Sequence, residues 1–504
     1  MNANQVMEPT ANNSIGRQAS RGLRWSLLGM LATKLGSFTI GLVLARLLTP
    51  ADFGLYAIAL AATGFVMHVN DAGIIAATVQ WRGRLEAMAP TAATIAVLFS
   101  VAAYGIMWIV APSFAELAGS PEATPVVRLL TVVILIDGVT AVRSAALMRR
   151  FQQDKLTMAN VAGLVVQAPL AIALAMVGAG AFSFAIGQVA GALVTGVLVF
   201  VFAKVPVKVG FDRAIAGRLF RFGVPLAASL GVEAILVNAD YVIVGRLMGA
   251  TALGFYLLAF NVSTWVLGVI IAGVRYVSIP AFSRLAEQKG SLSVGVQRSV
   301  PLLIAVAMPF AVLTATLAPA LVMFLYGDTW APAVPVLRFL MILSVVRVLT
   351  SFTVDILTSV GATRATFWLN LGWAAALIPA LFVSTSVAGI RGAAMGHALV
   401  ALLVALPLAI LLLHRAGVQL APIGSALVRP LLGCALAATV CLLTMHVVEG
   451  SSFVQLSIAG SAGLVTYALI VVPRENLRRW RGRAGALISV RRADVKSQRP
   501  QEEI

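Results

Sequence analysis

Nine ionisable side chains stand inside stretches otherwise made mostly of Ala, Val, Leu and Ile: Lys34, Asp71, Asp137, Arg143, Glu233, Asp240, Arg275, Arg347 and Asp355. A charge at the centre of a membrane span costs about 2.5–3.5 kcal/mol on insertion scales, so each implies a partner, a wet cavity or a function. The cations suit an anionic headgroup; the carboxylates suit sugar hydroxyls, a cation or a proton. Lys34, Asp71, Arg143, Glu233, Asp240, Arg275 and Arg347 are therefore expected to line a substrate cavity, with Asp137 and Asp355 as coupling groups or ion-pair partners. Two arrangements stay open. The charges converge on one hydrated chamber, or they tie helices pairwise, as Asp137 with Arg143 and Asp355 with Arg347 would. Spacing supports a shared face, since Glu233 and Asp240 are seven residues apart, as are Gly64, Asp71 and Thr78. Arg275 lies near a helix end and could snorkel.

Other chemistry finds no footing. The chain has no G-x-x-x-x-G-K-[ST] phosphate loop and no H-E-x-x-H metal motif, and its histidines, His68, His397, His414 and His446, form no ligand cluster in sequence. Cys434 and Cys441, the only cysteines, are seven apart in one apolar run, too far along a helix for a disulfide. Neither a cofactor, a metal nor a catalytic role is expected, and passage of a polar cargo is the role that remains.

The elements that must position these groups follow from composition. With 60% hydrophobic and only 11% charged residues in 504, the chain is expected to be an all-α polytopic membrane protein. Apolar runs between charged or Gly/Pro-marked breaks give about fourteen transmembrane helices. Of 37 Lys and Arg, 28 then fall on one side, which the positive-inside rule makes cytoplasmic along with both termini. Asp52, Glu116, Glu122, Asp328 and Glu449 fall on the other side, with Arg391 its single basic loop residue. The net charge of +18 reads as an orientation signal and as contact with anionic membrane lipids, not as nucleic-acid binding. Arg46, Arg128, Arg246 and Arg338 sit near outer helix ends, as anchors or outer-gate contacts. Trp25, Trp81, Trp108 and Trp330 are expected in the interfacial belt.

The sequence also repeats. Arg46, Leu47, Gly54, Tyr56 and Ala59 match Arg246, Leu247, Gly254, Tyr256 and Ala259 at an offset of 200, and Pro125-Val-Val-Arg-Leu-Leu matches Pro335-Val-Leu-Arg-Phe-Leu at 210. A unit of six helices is even, so the halves share one orientation, as in transporters that rock two bundles about a central site. The expected organisation is a cytoplasmic tail (1–22), an N-lobe of helices one to six (23–203), a basic cytoplasmic linker (204–223) and a C-lobe of helices seven to twelve (224–413). Helices thirteen and fourteen (429–472) and a basic cytoplasmic tail (473–504) complete it.

Two stretches resemble a known family. Leu44-Ala-Arg46-Leu-Leu-Thr-Pro-Ala-Asp52-Phe-Gly54-Leu-Tyr56 with Asn70-Asp71-Ala-Gly73, and Arg149-Arg-Phe-Gln-Gln-Asp-Lys155 with Gly178-Ala-Gly180-Ala-Phe-Ser, are similar to polysaccharide flippases of the multidrug/oligosaccharidyl-lipid/polysaccharide exporter superfamily. The resemblance covers roughly residues 20 to 475. It implies two six-helix lobes around a cationic cavity and translocation of a polyprenyl-pyrophosphate-linked oligosaccharide across the cytoplasmic membrane by alternating access. A polysaccharide polymerase and glycosyltransferases would be partners. By analogy with lipid II flippases, helices thirteen and fourteen would border a groove for the polyprenyl tail. Two other roles stay open, a cation-coupled drug or metabolite exporter of the same fold and a membrane scaffold for a glycan assembly complex.

Overall fold

Apolar residues in runs of 18 or more, with every backbone amide satisfied within its own segment, leave the chain one way to cross lipid, and it takes that way throughout. In a computed structural model, residues 9–70, 75, 78, 81, 83–206, 208–286, 291–420 and 423–471 are described, and no strand occurs among them. Among the described residues, twelve helical segments are long and apolar enough to span a membrane. Two of these are double. One folds back at Gly249, whose φ of 79° favours glycine, and the other at Ala388–Gly389, where Gly389 has φ 59°. Counting both arms of each gives fourteen passes.

The helices are α1 (Pro9–Leu47), α2 (Pro50–Asn70), α3 (Leu85–Leu117), α4 (Thr124–Leu130), α5 (Val132–Arg149), α6 (Gln153–Met176) and α7 (Phe182–Ala203) in the N-lobe. The C-lobe holds α8 (Arg213–Ala286, folded at Gly249), α9 (Ser291–Thr316), α10 (Ala318–Leu325), α11 (Ala333–Ser359), α12 (Thr363–Val400, folded at Gly389) and α13 (Leu406–Arg415). Two further helices, α14 (Ile423–Val447) and α15 (Ser452–Val471), pair with each other and pack on α9 and α10. There the Tyr467 hydroxyl donates to the Ala305 carbonyl at 2.6 Å, and the free Cys434 and Cys441 are buried in the seam. The exterior carries exposed Leu98, Ile109, Val165, Leu403 and Leu469, the apolar coat that lipid contact requires.

The six-helix repeat acquires a physical meaning where the lobes meet. The most extensive packing between elements joins α2 to α8. Gly54 lies against the backbone oxygen of Ala250, and Gly254 against that of Pro50, so a Cβ at either glycine would overlap the facing carbonyl. Both contacts join residues that are 200 apart from those of the other, as an axis running between the lobes demands. The arginines of the repeat act reciprocally too. Arg46 donates from Nη2 to the Phe324 carbonyl at 2.6 Å and from Nε to that of Leu325 at 2.9 Å, satisfying the orphan carbonyls that end α10. Arg246 reaches the Leu117 carbonyl that ends α3, at 3.4 Å. Each half thus caps a helix of the other half with a cation at the negative end of its dipole.

Trp330 departs from the interfacial belt expected of it. It is 1% exposed, and its indole donates to the Ala45 carbonyl at 2.9 Å while its ring meets Phe53 and Phe255 edge-on. An indole N–H needs a partner when buried, and the carbonyl at the end of α1 supplies it across the lobe seam. Trp108 remains 46% exposed with Arg128 over its ring at 4.7 Å.

Candidate functional site

The reciprocal glycine and arginine contacts form a latch between the lobes, and below it lies an open cavity of about 460 Å³, bounded by α1, α2, α6, α7, the second arm of α8 and Tyr326. Lys34 is the one ionised side chain among the described residues that line it. Thirteen residues separate it from Leu47, which places it about 20 Å below the latched end of α1. Its side chain is exposed. Amides from both lobes share the wall: Gln167 on α6, Gln188 on α7 and Asn261 on α8, with hydroxyls from Thr33, Ser37 and Thr264.

Aromatic rings supply the rest. Tyr56 stacks on Phe184 at 4.3 Å and donates its hydroxyl to Gln188 Oε1 at 2.6 Å. Phe38 of the N-lobe stacks on Trp265 of the C-lobe at 4.3 Å, and the Trp265 indole donates to the Lys34 carbonyl at 3.0 Å. Flat apolar rings beside amides and hydroxyls suit a sugar, which offers hydroxyls at its rim and C–H groups on its faces. An ammonium at the edge suits a phosphate. None of the amides or rings was marked by the charges in the sequence. Gln167 and Gln188, polar groups in the middle of apolar spans, were the available signal.

The other expected site residues are placed as follows. Asp240 and Arg347 lie inside the C-lobe beside His397, away from the cavity lining. Asp240 is fully buried, accepts from the Tyr256 hydroxyl at 2.8 Å and approaches His397 Nδ1 at 3.5 Å. Arg347 lies over the Phe260 ring at 5.2 Å, and that ring packs against Tyr241 and Tyr256. Tyr56 and Tyr256 are repeat equivalents, so one polar position faces the cavity in the N-lobe and a buried network in the C-lobe. Glu233 is half-buried two turns from Asp240 on α8 and does not line the cavity. Arg143 lies on the outer side of the N-lobe, donating from Nη1 to the Val139 carbonyl at 3.1 Å with its guanidinium over Phe200 at 3.9 Å. Asp137 and Asp355 are both engaged in polar interactions, and neither lines the cavity. Asp71 and the side chain of Arg275 lie outside the described residues.

The Asp240 network carries a stability prediction. Removing one member of a buried polar pair leaves the other without a partner, at a cost of about 1–3 kcal/mol. Asp240→Leu and His397→Leu are each expected to lower the unfolding midpoint of the purified protein. The double variant should lose less than the sum of the two, and strict additivity in that cycle would show the pair to be uncoupled.

Comparison with known proteins places this geometry in context. A family model described as polysaccharide biosynthesis protein matches residues 43–335. The chain is 26% identical over 366 residues to the succinoglycan biosynthesis transport protein ExoT of Rhizobium meliloti (strain 1021), covering 72% of this chain and 73% of that protein. It is 24% identical over 362 residues to the teichuronic acid biosynthesis protein TuaB of Bacillus subtilis (strain 168), covering 71% and 75%. Among solved structures, the inward closed conformation of the lipid II flippase MurJ superposes with a TM-score of 0.73 over 88% of this chain and 97% of that one, at 13% identity.

Proposed function

The chain belongs to the polysaccharide biosynthesis protein family, and from that premise we propose that it translocates a polyprenyl-pyrophosphate-linked oligosaccharide across the cytoplasmic membrane by alternating access. The observation that carries this reading is the cavity between the lobes, with one ammonium, three amides and stacked rings, beneath a symmetric latch. A pyrophosphate with several sugars cannot cross about 30 Å of hydrocarbon unaided, whereas its polyprenyl tail can remain in lipid. The polar head occupies the cavity, Lys34 meets the pyrophosphate, and the rings and amides hold sugars. The basic loops and both termini lie in the cytoplasm, so the latched end faces outward. Loading occurs from the cytoplasmic side, and parting of the Gly54 and Gly254 contacts releases the head outside.

This division of labour gives the cavity and the latch separate functions. The cavity residues set affinity for the head; the latch sets the relative population of the two access states. A polymerase and glycosyltransferases are the natural neighbours of such a carrier, since its cargo must be built on one side and joined on the other. The test is genetic. Deletion of the gene should abolish a surface polysaccharide and leave lipid-linked intermediate in the cytoplasmic leaflet, with drug susceptibility unchanged. Altered drug susceptibility with an intact polysaccharide would favour an exporter of small molecules instead. Among cavity variants, Gln188→Leu is expected to reduce polysaccharide output several-fold at unchanged protein level. Unaltered output would remove the amide from the site.

A further inference from the structure

On the outer side of the N-lobe, Arg143 faces a hollow of about 320 Å³ between α3, α5 and the segment after α7, which Lys208 also lines. Arg143 is 5% exposed, and its Nε is buried with no hydrogen-bond partner. A guanidinium carries five N–H donors, and the Val139 carbonyl accepts from one nitrogen only. No carboxylate is among the described residues that line the hollow. An arginine inside a span is costly, and this one keeps an unmatched guanidinium donor at the wall of a hollow that a second cation also lines.

The hollow adjoins an apolar groove of about 370 Å³ between α5 and α7, with Val139 and Phe200 lining both. The groove runs along α7 from Val201 to Leu193, about 12 Å at 1.5 Å per residue. Its one hydroxyl, on Thr140, is already spent on the Ile136 carbonyl at 2.9 Å. This face is turned away from the central cavity. Gln188 lines that cavity, and Val197, nine residues on, lies half a turn round α7. Leu193, Val197 and Val201 are 55%, 55% and 60% exposed, on the surface that lipid covers.

We propose that Arg143 and Lys208, with the groove between α5 and α7, form a binding site for one anionic phospholipid, its phosphate on the two cations and one acyl chain along the groove. The arrangement matches such a ligand in charge and in shape. Its basic end adjoins the charge-rich loop after α7, where headgroups lie, and its apolar end runs toward the bilayer centre. This site is separate from the translocation cavity and does not depend on the cargo proposed for it. It gives Arg143 the anion its burial requires.

The experiment is native mass spectrometry of the full-length protein in detergent, titrated with dioleoyl phosphatidylglycerol or dioleoyl phosphatidylcholine. The wild-type chain is expected to hold one phosphatidylglycerol at least ten-fold more tightly than phosphatidylcholine. Arg143→Gln should weaken phosphatidylglycerol about ten-fold and leave phosphatidylcholine unchanged. Val197→Trp, which fills the groove from the lipid side without altering charge, should weaken it several-fold. Arg221→Gln, which removes a cation outside the site, should have no effect. Unchanged phosphatidylglycerol binding in folded Val197→Trp would overturn the proposal, and this variant decides the matter should Arg143→Gln fail to fold. Two competitors identify the ligand. Glycerol 3-phosphate should not displace the lipid at hundred-fold excess; displacement would mean a free-anion site. Farnesyl diphosphate at equal concentration should not displace it either; displacement would mark a port for diphosphate-linked cargo and overturn the assignment.

Discussion

Gly54→Ala and Gly254→Ala are each expected to cut polysaccharide export at least ten-fold while leaving the protein folded and in the membrane. A Cβ at either position overlaps a backbone oxygen across the lobe seam, Ala250 for Gly54 and Pro50 for Gly254. Backbone cannot rotate aside as a side chain does, so the new methyl must push the lobes apart at that end. Overpacking of this kind costs about 1–3 kcal/mol, and 1.4 kcal/mol is a factor of ten in an equilibrium constant. The cost falls on the latched state alone, so the variants should shift toward the state open at this end. Thiols placed near residues 50 and 250 should then react faster with an impermeant reagent. The two variants should behave alike, because the contacts are repeat equivalents. Gly105→Ala, where a Cβ meets nothing within 4 Å, is the control and should export normally. Normal export and unchanged thiol reactivity in both seam variants would show that this contact does not gate the passage.

That latch was partly legible beforehand. Arg46, Gly54 and Tyr56 stand out against Arg246, Gly254 and Tyr256 because such residues seldom recur by chance in apolar sequence. The offset said that the two sets are equivalent; it could not say that they touch. Contact across the axis depends on how the lobes dock, and no periodicity within one helix encodes that. Helix number was readable for the opposite reason, since hydrocarbon thickness imposes a local length on every span.

The site was less legible than the fold. Charges in apolar runs pointed to Lys34, Asp240, Arg347 and Arg143 alike, and the structure distributes them among three places. Lys34 lines the cavity, Asp240 and Arg347 lie within the C-lobe, and Arg143 faces the outer side of the N-lobe. An intramembrane charge announces that something must compensate it; whether that is a cavity, a buried partner or a lipid depends on which helix faces which. Trp330 illustrates the same limit. A tryptophan near a span end is ordinarily interfacial, yet this one closes a seam between lobes because the Ala45 carbonyl lies within reach. The rings at Phe38, Phe184 and Trp265 carry no sequence mark that separates them from core aromatics.

Lys34 carries the second large effect. Lys34 is the one basic group among the described cavity-lining residues, so contact with an anionic head falls to it there. A charge-assisted hydrogen bond contributes about 1.5–3 kcal/mol, so Lys34→Ala is expected to lower transport ten-fold or more. Lys34→Arg keeps the charge and should retain most of it. Arg347→Ala is a useful contrast, because Arg347 does not line the cavity. Its variant should act first on stability through the Asp240 network, with a lowered unfolding midpoint that Lys34→Ala lacks. Equal loss of transport in Arg347→Ala at unchanged stability would give that guanidinium a direct part in transport.

The most direct measurement is lipid translocation by the purified protein in liposomes loaded with a fluorescent polyprenyl-pyrophosphate oligosaccharide. Quenching by an impermeant reagent reports which leaflet holds the sugar. Wild-type protein should move the label between leaflets, Lys34→Arg should do so nearly as well, and Lys34→Ala should slow it at least ten-fold. No movement above protein-free liposomes with the wild type, or movement in Lys34→Ala equal to the wild type, would contradict carriage of the polar head through this cavity.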